Sequence, residues 1–220
     1  MARAAAHRGP GRPARLSRPV ILDAALALLE REPSEPLGVA RIAEAVGAVP
    51  AALYRHFASL DELLDGVLGR VLGAVELDIR REAPWPEQIR DWMTSLRAHL
   101  LRYPAVVPLI GRRGRTSPAW LDAAAAQIAI LERAGLAGAE LARAHLWLTE
   151  TAIAVVIQEA SLALPEQIEG ARASLAEMSE AGRRHLAPLI PHLAAIDADT
   201  LFAFVADRTV AALVDLVEGC

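Results

Sequence analysis

Lysine is absent from the 220 residues, so every one of the 23 basic side chains is an arginine. Arginine presents a planar fork of donors suited to bidentate contact with phosphates and base edges, where lysine acts as a point charge. A genome-wide compositional bias produces the same pattern. Cysteine is nearly absent: Cys220, the single one, leaves no disulfide framework or thiolate metal cluster and fits a reducing compartment. Long apolar runs are missing too. The most apolar stretch, Leu146 to Leu164, is interrupted by Glu150, Gln158 and Glu159 and does not span a bilayer. With no signal peptide at the start, a cytoplasmic protein without a membrane partner is expected. No GxSxG, HExxH or phosphate loop occurs, nor a Cys-His set with metal spacing, so no enzyme, cofactor or metal is expected. His99, His145, His185 and His192 are scattered, as satisfied core or surface histidines are.

What is present is helical. With 54% hydrophobic residues the chain can bury a sizeable core, as one large domain or two small ones. Caps and breakers recur while strand alternation is scarce, so the expected fold is all-α with about ten helices. Ser59-Leu60-Asp61-Glu62 reads as a capping box opening a fourth helix towards Arg81. Gly66, Gly69 and Gly73 inside it mark close crossing against the first helix, compliance between domains, or both. Pro84-Trp85-Pro86 marks a boundary. Beyond it, helices are expected at 87–103, 105–110, 117–135, 138–164, 166–186 and 197–218. The loop between the sixth and seventh carries Arg112, Arg113 and Arg115, most simply a solvated surface.

The most informative stretch is VARIAEAVGAVPAALYRHF, from Val39 to Phe57. Ile42 and Val46 lie one helical turn apart, Ala43 permits a close crossing, and Leu53 and Phe57 repeat the spacing beyond Gly47, where the chain must reverse. Pro50 suits an opening turn. Two helices this short need support, and the helix from Ser17 to Glu32 supplies it, completing a helix-turn-helix unit. Residues 1 to 60 hold eight arginines against five acids, whereas the remainder holds fifteen against twenty-two. The basic end is therefore the nucleic-acid end. Residues 1 to 20 contain Arg3, Arg8, Arg12, Arg15 and Arg18 and no acid. Such an arm attracts phosphate through counterion release. Gly11-Arg12-Pro13 resembles the core of an AT-hook, which lays an arginine along a narrow minor groove; a generic solvated arm is the alternative.

The eighth and tenth helices are apolar nearly all round, through Leu146, Thr149, Ala152, Ile153, Val156 and Ile157 in one and Leu201, Phe204, Val205, Val210, Leu213 and Val214 in the other. One fold does not easily hide both. A twofold mate would complete a four-helix interface and set two reading heads side by side, so a homodimer through these helices is expected; a monomeric core is the alternative.

With those residues in view, the chain resembles the TetR family of one-component bacterial repressors. ILDAALALLE, RIAEAVG and ALYRHFASLDELL match its N-terminal DNA-binding signature over about 50 residues, and LLRYPAVVPLI, SPAWLD and ARAHLWL resemble its helical C-terminal domain more softly. The resemblance implies a homodimer, a palindromic double-stranded operator and a small-molecule effector that releases DNA. It divides the chain into a disordered Arg-rich arm (1–16), a helix-turn-helix DNA-binding domain with linker helix (17–83), and a ligand-binding and dimerisation domain (84–220). Carried over by position, Pro50 to Phe57 is the recognition helix, opened by Val49, with Pro50, Ala51, Ala52 and Arg55 facing bases and Tyr54 and His56 positioning phosphates. The chemistry agrees, because Arg55 can bridge guanine O6 and N7 while alanine methyls pack on thymine methyls. Tyr54 as core and His56 as a helix-end cap are the structural alternatives.

Three positions depart from the family pattern: Gly38 and Val49 where polar caps usually stand, and Leu60 where a lysine usually meets phosphate. Arg12, Arg15, Arg18 and Arg41 are expected to take over backbone anchoring. The effector pocket is expected among the fifth to eighth helices, at Trp92, His99, Tyr103, Trp120, Trp147, Thr151 and Gln158, where aromatic and polar groups mix on apolar faces. That suits a largely apolar ligand fixed by one or two hydrogen bonds.

Overall fold

A computed structural model describes residues 16–33, 35–110, 118–161 and 163–219, and among them the protein is all-α, with twelve α-helical segments and no strand. Arg12, Arg15, the arginines of the 111–117 loop and Cys220 lie outside the described residues.

The first unit comprises α1 (Arg18–Arg31), α2 (Val39–Ala45) and α3 (Pro50–Leu53). α1 begins with Pro19 in its first turn, where a missing N–H costs nothing, and buries one stripe of Ile21, Ala25, Leu28 and Leu29. Ile42 and Ala43 of α2 and Leu53 of α3 close on that stripe together with Phe57. Each large side chain so buried contributes roughly 1.5–3 kcal/mol, which is what holds helices too short to persist alone. Gly47 makes the reversal with φ +64°, and Ala48 N then donates to Ala43 O at 2.8 Å.

α4 (Leu60–Gly73) opens as expected, with Ser59 Oγ accepting from Glu62 N at 3.1 Å. It ends at Gly73, however, not near Arg81. The cause lies on α5 (Trp85–Leu100), whose polar side chains capture the connecting backbone. Asp78 N donates to Ser95 Oγ at 3.1 Å, Arg80 N to Asp91 Oδ2 at 3.1 Å, and Gln88 Nε2 to the carbonyls of Arg81 and Ala83 at 3.0 and 2.7 Å. The connection therefore runs along α5 instead of continuing as a rod. Close crossing holds at only one of the three glycines. A Cβ on Gly66 would stand 3.0 Å from Leu22 Cδ2 of α1, whereas Gly69 has nothing within 4 Å and Gly73 meets only Ala119 Cβ at 3.8 Å.

The second unit adds α6 (Val107–Ile110), α7 (Pro118–Arg133), α8 (Gly138–Ser161) and α12 (Ala198–Glu218). α7 packs on α4, α5 and α8, and α12 on α5 and α8. Between α8 and α12 lie α9 (Leu164–Ser174), α10 (Glu180–Leu186) and α11 (Ile190–Leu193), joined by short 3-10 turns. The helix expected over 166–186 is thus broken, because Ser179 starts a new one by accepting from Gly182 N at 3.2 Å. A single apolar core runs through both units, from Ile21 to Leu213. Among the described residues no single helix is long and apolar enough to cross a membrane.

Candidate nucleic-acid interface and effector site

α3 supplies one helical turn, and residues 54–56 continue it as a tightened turn in which His56 N donates to Leu53 O at 2.9 Å. The recognition element is therefore shorter than the expected helix over 50–57. Its outer surface consists of Val49 at 65% exposure, Pro50, Ala51, Tyr54 at 51% and Arg55. Arg55 makes no ion pair among the described residues. Tyr54 is thus outside the core, which sets aside its structural alternative. Ala52 is a correction: at 6% exposure it faces inward beside Leu53 and cannot reach a base. On so short a helix a step of one residue turns the side chain by about 100°. Neither Gly38 nor Val49 provides a side-chain cap, as the departures foretold.

The two described arginines expected as phosphate anchors are engaged within the chain. Arg41 donates to Pro36 O at 2.8 Å and pairs with Glu32. Arg18 Nη1 donates to His56 O at 2.7 Å and to Glu62 Oε1 at 2.6 Å, with its guanidinium 4.3 Å from the centre of the Phe57 ring. His56 is half-buried, and its carbonyl rather than its imidazole is what the structure uses.

The residues expected to form an effector pocket separate into three places. Trp92 and Trp120 are buried between α5 and α7, with the Trp92 indole N–H donating to Ala123 O at 3.0 Å. His99 and Tyr103, with ring centroids 5.7 Å apart, face a groove of about 750 Å³ between α5, the end of α1 and the start of the connection after α4. His99 Nε2 lies 2.7 Å from Val71 O, and burial holds its imidazole below the ordinary range. Tyr103 Oη donates to Glu30 at 3.0 Å; burial, then that carboxylate, push its phenol upward. Trp147, at 41% exposure, and Gln158 sit on the outer side of α8 with Thr151 half-buried between them, so these three do not join the others.

The sequence reading missed a polar cluster inside the second unit. Gln127 of α7 is fully buried, and its Nε2 donates to Thr149 Oγ1 at 2.9 Å and lies 2.6 Å from His145 Nδ1. Its Oε1 has no partner among the described residues. Turning the amide over would strand Nε2 instead, so one end stays unmatched either way. Burial also lowers the His145 imidazole. The available signal was a lone glutamine inside the apolar run AAAAQIAIL, facing a histidine and a threonine four residues apart.

The expected dimer face also divides. Thr149, Ala152, Ile153 and Val156 of α8, and Val210 and Leu213 of α12, are buried within the protomer. Leu146 and Phe204 remain outside, at 58% and 62% exposure, and Trp147, expected in the pocket, is exposed as well at 41%.

Comparison with known proteins agrees with this architecture. Residues 21–67 match the family model described as bacterial regulatory proteins, tetR family, and residues 80–212 match the tetracyclin repressor-like C-terminal domain. An HTH-type transcriptional regulator of Saccharopolyspora erythraea is 30% identical over 162 residues, covering 74% of this chain and 68% of that protein. Among solved structures, ActR of Streptomyces coelicolor in complex with actinorhodin aligns at TM-score 0.74 and 24% identity, over 92% of this chain and 98% of that one. BioQ with its natural double-stranded DNA operator aligns at TM-score 0.59 and 23% identity, over 83% of this chain and 100% of that one. The protein belongs to the TetR family of bacterial regulatory proteins and is a helix-turn-helix transcriptional regulator.

Proposed function

We propose that the protein is a cytoplasmic repressor that binds a palindromic operator as a homodimer and is released by a largely apolar small molecule. The exposed side of α3 carries this reading: Val49, Pro50, Ala51, Tyr54 and Arg55 form one outward surface on a supported helix-turn-helix. Arg55 reads a guanine, Ala51 and Val49 meet thymine methyls, and Tyr54 hydrogen-bonds a phosphate. BioQ's operator complex supports a duplex as partner, and ActR's actinorhodin complex supports an effector domain.

The second copy covers Leu146, Trp147 and Phe204, the large apolar side chains that the packed helices α8 and α12 leave exposed. Twofold symmetry then makes the operator an inverted repeat. The effector enters the second unit near Gln127, whose unmatched Oε1 receives a hydroxyl or amide N–H while the surrounding apolar side chains cover the remainder. It releases DNA by preferring the conformation with wrongly spaced reading heads, since equal affinity for both conformations would shift nothing. A degenerate member that binds ligand but no duplex is the second reading, favoured by the internal engagement of Arg18 and Arg41. Fluorescence anisotropy with duplex from upstream of the protein's own gene, at several salt concentrations, separates the two. Preference for an inverted repeat over scrambled competitor supports the repressor; none, even in dilute buffer, supports the degenerate member.

A further inference from the structure

We infer that Arg18 and Glu62 are positioning residues that set the angle of the recognition turn, not phosphate contacts. The inference rests on the DNA-binding reading and deepens it. α3 is one turn long, has no side-chain cap, and is followed by a carbonyl, His56 O, that the helix itself leaves unpaired. Such an element does not hold its own direction.

One ion pair ties down the backbone that follows it from His56 onward. Both protons of Arg18 Nη1 are spent, on His56 O at 2.7 Å and Glu62 Oε1 at 2.6 Å. The guanidinium lies over the ring of Phe57, which is 2% exposed. Glu62 Oε2 accepts from Ala58 N at 2.5 Å, and Glu62 N donates to Ser59 Oγ at 3.1 Å. Residues 56 to 58, the later part of the passage from α3 to α4, are thereby fastened to the first residue of α1 directly or through Glu62, and Ser59 is held by Glu62 at the start of α4. The pair is half-exposed, so its Coulomb energy is small. Its value is geometric: α1 and α4 are long and packed, and the clamp transfers their rigidity to the turn that meets DNA.

The test uses the full chain with Arg18→Gln, Arg18→Lys and Glu62→Gln. Each is titrated over a salt series against a duplex that the unsubstituted protein selects from a randomised inverted-repeat pool, and amide exchange is followed at Ala58. All three variants are expected to lose affinity about tenfold, the low end of one base contact's worth, with the salt slope unchanged. Ala58 exchange quickens in Arg18→Gln and Glu62→Gln. Glu62→Gln is decisive because it deletes a negative charge beside the DNA face, so a phosphate-anchoring Arg18 would then bind more tightly. Equal or tighter binding by Glu62→Gln overturns the inference, as does full rescue by lysine or a slope lowered by about one in Arg18→Gln. If the unsubstituted protein selects no duplex, the DNA-binding reading fails instead. Exchange then judges the clamp alone, and unchanged Ala58 protection in Arg18→Gln rejects it.

Discussion

Tyr103, at the corner after α5, donates its phenolic hydrogen to the Glu30 carboxylate near the end of α1 at 3.0 Å, and two residues on Ala105 N donates to Pro33 O at 3.3 Å. These bonds join the helix-turn-helix unit to the second unit. Replacing Tyr103 with Phe removes the bond without opening a cavity. We expect a loss of about 1 kcal/mol in urea unfolding, and a larger change in effector-driven DNA release than in effector affinity. Equal loss in both would show that Tyr103 serves the ligand, not the link.

Gln127→Met removes a buried acceptor that lacks a partner, and with it the bonds to Thr149 and His145. An unmatched buried polar atom costs about 1–3 kcal/mol, comparable with the bonds lost, and Thr149 can turn its hydroxyl to a carbonyl of its own helix. Thermal stability should therefore hold or rise while effector affinity falls. A melting temperature several degrees lower would reject the idea of an amide reserved for a ligand.

Acid should weaken the fold through His99 and His145. Burial lowers both imidazoles from the ordinary value of 6.5, so in the folded state they take up protons less readily than in the unfolded chain. Their stabilisation is intact above that value and is lost as pH falls through the depressed folded-state values. Urea midpoints between pH 7.5 and 5 should fall, and His99→Gln should flatten the decline. A midpoint that rises on acidification contradicts this.

Phe204→Asp and Leu146→Asp alter side chains that are largely exposed in the protomer, at 62% and 58%. Each should leave helicity and melting of the isolated protomer little changed while shifting sedimentation towards monomer. An unaltered dimer would place the interface elsewhere.

Gly69→Ala should stabilise the fold by roughly 1 kcal/mol, because a new Cβ there meets nothing within 4 Å and helix propensity improves. Gly66→Ala should gain less, since Leu22 Cδ2 stands 3.0 Å away and must give way. Unfolding of the two variants side by side checks the order.

The reading domain was legible because its information is local. Apolar spacing located α1 and α2, Gly47 located the reversal, and Ser59 with Glu62 located the start of α4. What escaped was decided by residues distant in the chain. The end of α4 depends on Ser95, Asp91 and Gln88, which belong to another helix. The facing of Ala52 depends on how a single turn sits against α2, and the separation of Trp147 from Trp92 depends on which side of α8 meets α7. Gln127 stands out through an atom with no partner among the described residues, and sequence does not reveal an unmade bond.

The stretch from Asp78 to Ala83 is laced to α5 by side chains on that helix. A rod prolonging α4 would convey thrust along its axis. Lacing would convey torque instead: in the proposed ligand-released regulator, a roll of α5 would drag the strap behind α4 sideways and turn the helix-turn-helix unit with it.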